Sequence, residues 1–340
     1  MTSLMLEETF AAPDAVRTML KANLAASQAL GALLRSTPPA SIVTIARGSS
    51  DHAAAYLAYL MTVRTGRLVT TLPMSLVTLY RAPLEAHRML AIAVSQSGRS
   101  PDVVEPVRVL RQGGATTLAL VNDVASPLAE AAEWVLPLQA GEERSVAATK
   151  SFICSLAAGA ALTAHWSQSD DLLQALQTLP EALEAARALD WSAPVKALAG
   201  SERLMVVARG VGLAIAEEAA LKFKETCGIQ AEAFSAAEMR HGPQALVESG
   251  YPLIAFALRG PAQEEIVNLA AEMRTRGAQV FLAAPADVPE RDLTLATTGS
   301  EELDPIAAIQ SFYPLAEAVS RARGFSPDHP PRLNKVTMTR

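Results

Sequence analysis

Short apolar runs alternate with longer stretches in which apolar positions recur every three or four residues. SIVTIA (41–46), RLVTTLP (67–73) and MLAIAV (89–94) carry strand signals, and MLAIAV has the length of a buried parallel strand rather than of a helix. TTLALV and WVLPL repeat that signal further on. Between the strands the spacing predicts a helix over AAAYLAYLMTV, another from about Pro101 to Arg111, and a short one after Ser126. The order of strand, turn and helix makes a parallel α/β domain with helices packed on its sheet. Ahead of it, residues 5–35 have helical periodicity, with Pro13 as a break or first-turn residue and Ser36 to Pro39 as the stop.

The second half repeats the first. VTIARG at 43–48 is echoed by MVVARG at 205–210, an offset of 162, and MLAIAVS at 89–95 by PLIAFAL at 252–258, an offset of 163. QGGATTLAL and TRGAQVFLA stand in the same relation. Several matches at nearly one offset imply two copies of one α/β unit, joined by helical segments from Ser151 to Ala188. The expected organisation is a helical segment (1–35), a first α/β domain (36–165), a helical linker (166–195), a second α/β domain (196–324) and a tail (325–340). The copies differ after the equivalent strands: the first has Ser95-Gln96-Ser97-Gly98, the second Leu258-Arg259-Gly260-Pro261.

Composition narrows the ligand. A net charge of −6 with 29 basic residues and no basic run argues against nucleic acid, which is bound by clustered Lys and Arg. Cys154 and Cys227 lie far apart in apolar helical patterns and lack the spacing of a zinc site or redox pair, so buried thiols and no metal are expected. The most apolar helical run, Phe152 to Ala164, is too short to span a bilayer, and the opening MTSLMLEETF is acidic where a signal peptide is basic. A cytoplasmic protein with a small-molecule ligand, no cofactor and no membrane partner is the expectation.

Two stretches carry candidate chemistry. SQSGRSPD leaves a strand, turns through Gly98 and enters a helix with Pro101 in its first turn. That arrangement suits a phosphate held by helix N-terminal amides and hydroxyls. Ser49 and Ser50 lie in an equivalent turn after the first strand, and ligands of open parallel sheets bind at that edge. The second stretch, Glu217 to Gly242, gathers Lys222 and Glu225 three apart on one helical face. Gly228 is its expected stop, IQAEAF an extended piece, and SAAEMRHGP a short helix with His241 at its C-terminus.

With ARGSSDHAA, SQSGRSPD, GEERSVAATKSF, ALKFKETCGIQAEAFSAAEMRHGP and LNKVT in this order, the chain resembles the double sugar-isomerase (SIS) domain, specifically the isomerase half of glucosamine-6-phosphate synthase. LEETFAAPDAVRTML resembles the segment with which that half begins. No glutamine-hydrolysing part accompanies these motifs, which is the pattern of stand-alone isomerase-like glucosamine-6-phosphate deaminases. The resemblance implies two tandem SIS domains, each a parallel sheet flanked by helices. It places phosphate at Ser49, Ser50, Ser95, Gln96, Ser97 and Ser100, and sugar contacts at Val146 and Ala148. It makes Glu225 the carboxylate that moves the proton between C1 and C2, His241 the ring-opening histidine, Lys222 a polar neighbour of the open-chain sugar and Lys335 the tail lysine near the carbonyl. It also implies a homodimer with shared active sites, His241 crossing the interface. Ala148 stands where the synthase pattern VASTK has a serine, and Arg99 and Ser100 replace its acidic residue and threonine. The implied function is conversion of glucosamine 6-phosphate to fructose 6-phosphate and ammonia. The alternatives are a deglycase of a glycated sugar phosphate and a sugar-phosphate-sensing module without turnover.

Overall fold

The computed structural model describes residues 2–335 of the 340-residue chain. Two helices come first, α1 (Leu4–Phe10) and α2 (Ala12–Ser36), with Pro13 in the first turn of the second. The first α/β repeat follows as β1 (Ser41–Ile45), α3 (Ser49–Thr65), β2 (Val69–Thr71), α4 (Ser75–Thr78), β3 (Met89–Ser95), α5 (Pro101–Gln112), β4 (Thr116–Val121), α6 (Pro127–Ala131) and β5 (Trp134–Pro137). Four helices run on from it: α7 (Lys150–Ser167), α8 (Asp170–Gln177), α9 (Leu179–Arg187) and α10 (Val195–Ala199). The second repeat is β6 (Arg203–Ala208), α11 (Leu213–Cys227), β7 (Gln230–Ser235), α12 (Ala236–Arg240), β8 (Pro252–Phe256), α13 (Gln263–Thr275), β9 (Gln279–Ala284), β10 (Leu293–Thr294) and α14 (Asp304–Ala322).

Both sheets are parallel and five-stranded, in the orders β2-β1-β3-β4-β5 and β10-β9-β8-β6-β7. Matched by the sequence offset, β6 corresponds to β1, β8 to β3 and β9 to β4. The second order, read backwards, is then the first, so the repeat in the letters is a repeat in topology. Each sheet buries one face against its own helices. Val43, Ala91, Ala93 and Val121 pack on Val103, Val107 and Leu110 of α5. Met205, Val207, Leu253 and Leu282 pack on Ile266, Leu269 and Met273 of α13. The Phe152 to Ala164 run is buried along its whole length within α7, which packs on α3, so its apolarity serves a core helix. Among the described residues no helix is long and apolar enough to cross a membrane.

The chain forms two compact units. One contains the first sheet with most of α2, the helices α7 and α8, and Asn334 and Lys335. The other contains the second sheet with α1, the loop Arg144–Thr149, and the chain from Thr178 to Leu333. In this second unit the Glu8 carboxylate accepts the amide of Arg144 at 2.5 Å and that of Ser145 at 3.3 Å, which ties the loop down. Asp328 receives the Leu4 and Met5 amides at the start of α1.

Candidate active site

The strand order of the first sheet reverses direction between β1 and β3, and an open parallel sheet forms its ligand crevice at the carboxyl edge of such a point. Ile45 and Ala93 are register partners, so the segments after the two strands emerge side by side. They enclose a cavity of about 300 Å³ lined by Arg47, Gly48, Ser50, Ser95, Gln96, Ser97, Ser100, Val103 and Lys335. Five of the predicted phosphate-binding residues and the tail lysine therefore share one wall. Ser49 does not line it. The sequence reading put Ser49 and Ser50 in a turn, but they form the first turn of α3, which begins four residues ahead of the apolar pattern.

The serine loop keeps its shape through its own groups. Ser95 Oγ accepts the Gly98 amide at 2.9 Å and Ser97 Oγ the Arg99 amide at 3.3 Å. Gly98 has φ +63°, and a Cβ there would fall 2.1 Å from Ser126 Oγ, so only glycine fits. Ser100 precedes Pro101 in the first turn of α5, which directs that helix's amino end at the cavity edge. Arg99 turns to Asp123, at 2.7 Å, and the guanidinium hydrogen bond is the main reason the Asp123 carboxyl titrates below its ordinary value.

Arg47, which sequence reasoning did not single out, adds a cation to this wall. Its Nε donates to buried Asp102 at 2.9 Å. The second repeat carries the corresponding pair, Arg209 with Glu265, so an arginine after the first strand tied to an acid of the following helix is a property of the repeat. The corresponding edge of the second sheet carries different side chains. A Cβ on Gly212 would meet Leu258 Cδ1 at 2.7 Å, and Arg259 is spent on Asp304, at 2.6 and 2.8 Å, and on the Thr298 carbonyl at 2.8 Å.

The remaining predicted residues lie in the second-sheet unit. On α11, Lys222 is fully buried; its Nζ stands 2.5 Å from Glu225 Oε2 and 3.4 Å from Glu218 Oε1. Glu218 is also buried and accepts from the Tyr313 hydroxyl at 3.2 Å, whereas Glu225 keeps 24% of its side chain exposed. Burial works to discharge Lys222, but the two carboxylates outweigh it, so its ammonium titrates above the ordinary lysine value. Lys224 points to solvent, as the helical spacing required. Phe223 meets Phe312 of α14 edge-on at 5.2 Å, and Ser320 Oγ donates to the Thr226 carbonyl at 2.7 Å; these contacts fix the rotation of α11 and with it the cluster. Gly228 ends the helix in the left-handed region, as expected.

Glu218 was missed because EEAALKFKE reads as a charged helix, and only packing reveals that its second glutamate faces inward. His241 caps α12 and is exposed; among the described residues no hydrogen bond joins it to Glu225. Val146 and Ala148 are half-buried in the tied loop, with the Val146 amide donating to the Asp328 carbonyl at 3.2 Å. Both cysteines are buried and free. Burial raises the Cys154 thiol far above its usual range and that of Cys227 to about 11, which leaves neither a nucleophile at neutral pH. Among the described residues no group of His, Cys, Asp and Glu is placed to hold a metal.

Known proteins resemble this chain over nearly its whole length. A glutamine–fructose-6-phosphate aminotransferase (isomerizing) of Symbiobacterium thermophilum is 33% identical over 358 residues, covering 97% of this chain and 58% of that protein. The chain spans about half the length of the curated relatives it matches. A structure from Silicibacter pomeroyi DSS-3, assigned as a phosphosugar isomerase, superposes with a TM-score of 0.91 at 40% identity, covering 96% of this chain and 100% of the other. The glucosamine-6-phosphate deaminase of Thermotoga maritima shares the fold, with a TM-score of 0.78 at 21% identity over 99% of this chain and 100% of that one. The SIS domain family matches residues 37–165 and 197–287, one segment in each α/β repeat, and the chain belongs to that family.

Proposed function

We propose that the chain is an amino-sugar phosphate isomerase/deaminase that converts glucosamine 6-phosphate to fructose 6-phosphate and ammonia. The observation that carries this reading is the buried Lys222 held between Glu218 and Glu225 on one helix. Isomerisation needs a base fixed in orientation and able to take a proton from carbon and return it one carbon away. The Lys222 ammonium fixes Glu225, and the partial exposure of Glu225 leaves it open to substrate. With His241 assisting ring opening, Glu225 takes the C2 proton of the open-chain amino aldehyde and delivers it to C1. This yields the C2 imine of fructose 6-phosphate; water adds to it and ammonia leaves. The serine-lined cavity, with Arg47 and Lys335 on its wall, supplies hydroxyls and cations for the phosphate. The 40% identical structure, assigned as a phosphosugar isomerase, supports the substrate class.

Incubation of the purified protein with glucosamine 6-phosphate should release ammonia and fructose 6-phosphate in equal amounts. Release of an amino acid from a glycated sugar phosphate, with no ammonia from the amino sugar, would make the protein a deglycase. Binding of sugar phosphates without turnover would make it a sensor. The active molecule in this reading is a homodimer in which His241 serves the partner's site, a role compatible with its exposure. Mixed Glu225→Gln and His241→Ala chains should then recover activity on subunit exchange; no recovery after confirmed exchange would place both residues in one chain's site.

A further inference from the structure

The Glu143 side chain has no solvent exposure, yet it comes from the loop after β5 rather than from a core strand. Its carboxylate is held at both oxygens. Oε1 accepts the Ser151 amide at 3.0 Å, and Oε2 accepts the Ser151 hydroxyl at 2.6 Å and the Lys335 ammonium at 3.0 Å. The residues are far apart in sequence, and the contact ties Lys335 to the start of α7. Lys335 keeps 23% of its side chain exposed and lines the same cavity as Ser95, Gln96, Ser97 and Ser100. An ammonium carries three N–H donors, of which the Glu143 oxygen takes one.

We propose that Glu143 is the positioning residue for Lys335: it anchors the tail and so presents a fixed ammonium to the phosphosugar held in the serine cavity. A buried carboxylate without its cation is strongly unfavourable, so the anchor holds as long as Glu143 is ionised. The proposal rests on the reading of the cavity as a sugar-phosphate site, and it makes two separable claims. Anchoring is read without ligand. In Glu143→Gln the charge is gone and a single acceptor oxygen is left for the Ser151 amide and the ammonium, so trypsin should cleave after Lys335 faster than in the wild type; an unchanged rate overturns the anchor. Presentation is read by calorimetry with glucosamine 6-phosphate on the wild type, Glu143→Gln, Lys335→Ala and the double variant. A lost hydrogen bond to a charged group corresponds to a loss of about tenfold or more in affinity. Each single variant should show such a loss and the double variant no more than either single one, because both act through the same ammonium. Lys335→Arg, which keeps charge and reach, should restore binding. Additive losses, or wild-type affinity in Glu143→Gln beside a weakened Lys335→Ala, overturn the positioning role. A wild type that binds no sugar phosphate would sink the cavity reading while the cleavage experiment still decided the anchor. If Glu143→Gln does not fold, Ser151→Ala, which removes only the hydroxyl that orients the carboxylate, carries both comparisons with the same expected outcomes.

Discussion

Removing the Lys222 ammonium tests whether the cluster on α11 is a coupled unit. In Lys222→Met the chain keeps its volume, but the fully buried Glu218 loses the cation 3.4 Å away and remains beside the Tyr313 hydroxyl. Breaking a buried ion pair from one side costs about 3–5 kcal/mol, because the remaining charge has lost its counter-charge. Glu225 adds little to that cost, since its partly exposed carboxylate can turn to water. At about 2–4 °C per kcal/mol for a large domain, the melting temperature should fall by roughly 6–20 °C. The second variant distinguishes the charge from the packing. Glu218→Gln/Lys222→Met has no buried charge left to strand, and replacing a whole buried pair by neutral groups is often close to neutral, so the double variant should regain most of the loss while remaining inactive. Calorimetric melting of the three proteins in one buffer measures both effects. A Lys222→Met protein that melts within about 2 °C of the wild type, or a double variant no more stable than the single one, would mean that Lys222 and Glu218 are not a coupled pair.

Gly98→Ala should cost at least about 1–2 kcal/mol through its left-handed backbone alone, with more from the collision with Ser126 Oγ, and denaturant unfolding would read the total. Ser97→Ala should bind glucosamine 6-phosphate about tenfold more weakly, and calorimetry showing equal wild-type affinity for the sugar with and without its phosphate would remove this loop from the site. The His165 imidazole is held below its ordinary value by burial first and by Arg35 second, so the folded state favours its neutral form. Its contribution to stability is present above the ordinary histidine value of about 6.5 and is lost as pH falls through the lower folded value. His165→Gln should therefore flatten the acid side of the stability profile, and an unchanged profile would show that another group governs it.

Much of the architecture was legible because parallel strands buried on both faces are written as apolar runs, and two copies of the pattern confirm each other. MLAIAV and PLIAFAL became β3 and β8 within a residue or two, and the 162–163 offset became one strand order used twice. The start of α3 was set four residues late because Ser49, Ser50 and Asp51 carry no apolar signal, although they take helical conformation. β10 has two residues, too few for any periodicity to register.

The candidate site was legible where its residue types fall in a local pattern, as in SQSGRS or the spacing of Lys222 and Glu225. It was silent where the partner lies far along the chain. Arg47 reaches Asp102, Arg259 reaches Asp304, and Glu143 reaches Lys335 across 192 positions. Each pair joins residues that only the folded chain brings together. Glu218 was hidden for a different reason: the helical spacing allowed it either face, and the burial of Tyr313 and Phe312 against α11 decided which.

In the proposed reaction Glu225 moves the substrate's C2 proton. Glu225→Gln keeps the size of the side chain and most of its hydrogen bonding but removes the base, so the proton shift should slow by about 10²-fold or more while affinity changes little. Exchange of the C2 proton of glucosamine 6-phosphate with deuterated solvent, followed by NMR, reports that step independently of imine hydrolysis. Exchange is expected in the wild type and should nearly vanish in Glu225→Gln at unchanged affinity; exchange at the wild-type rate in the variant would mean that another group is the base.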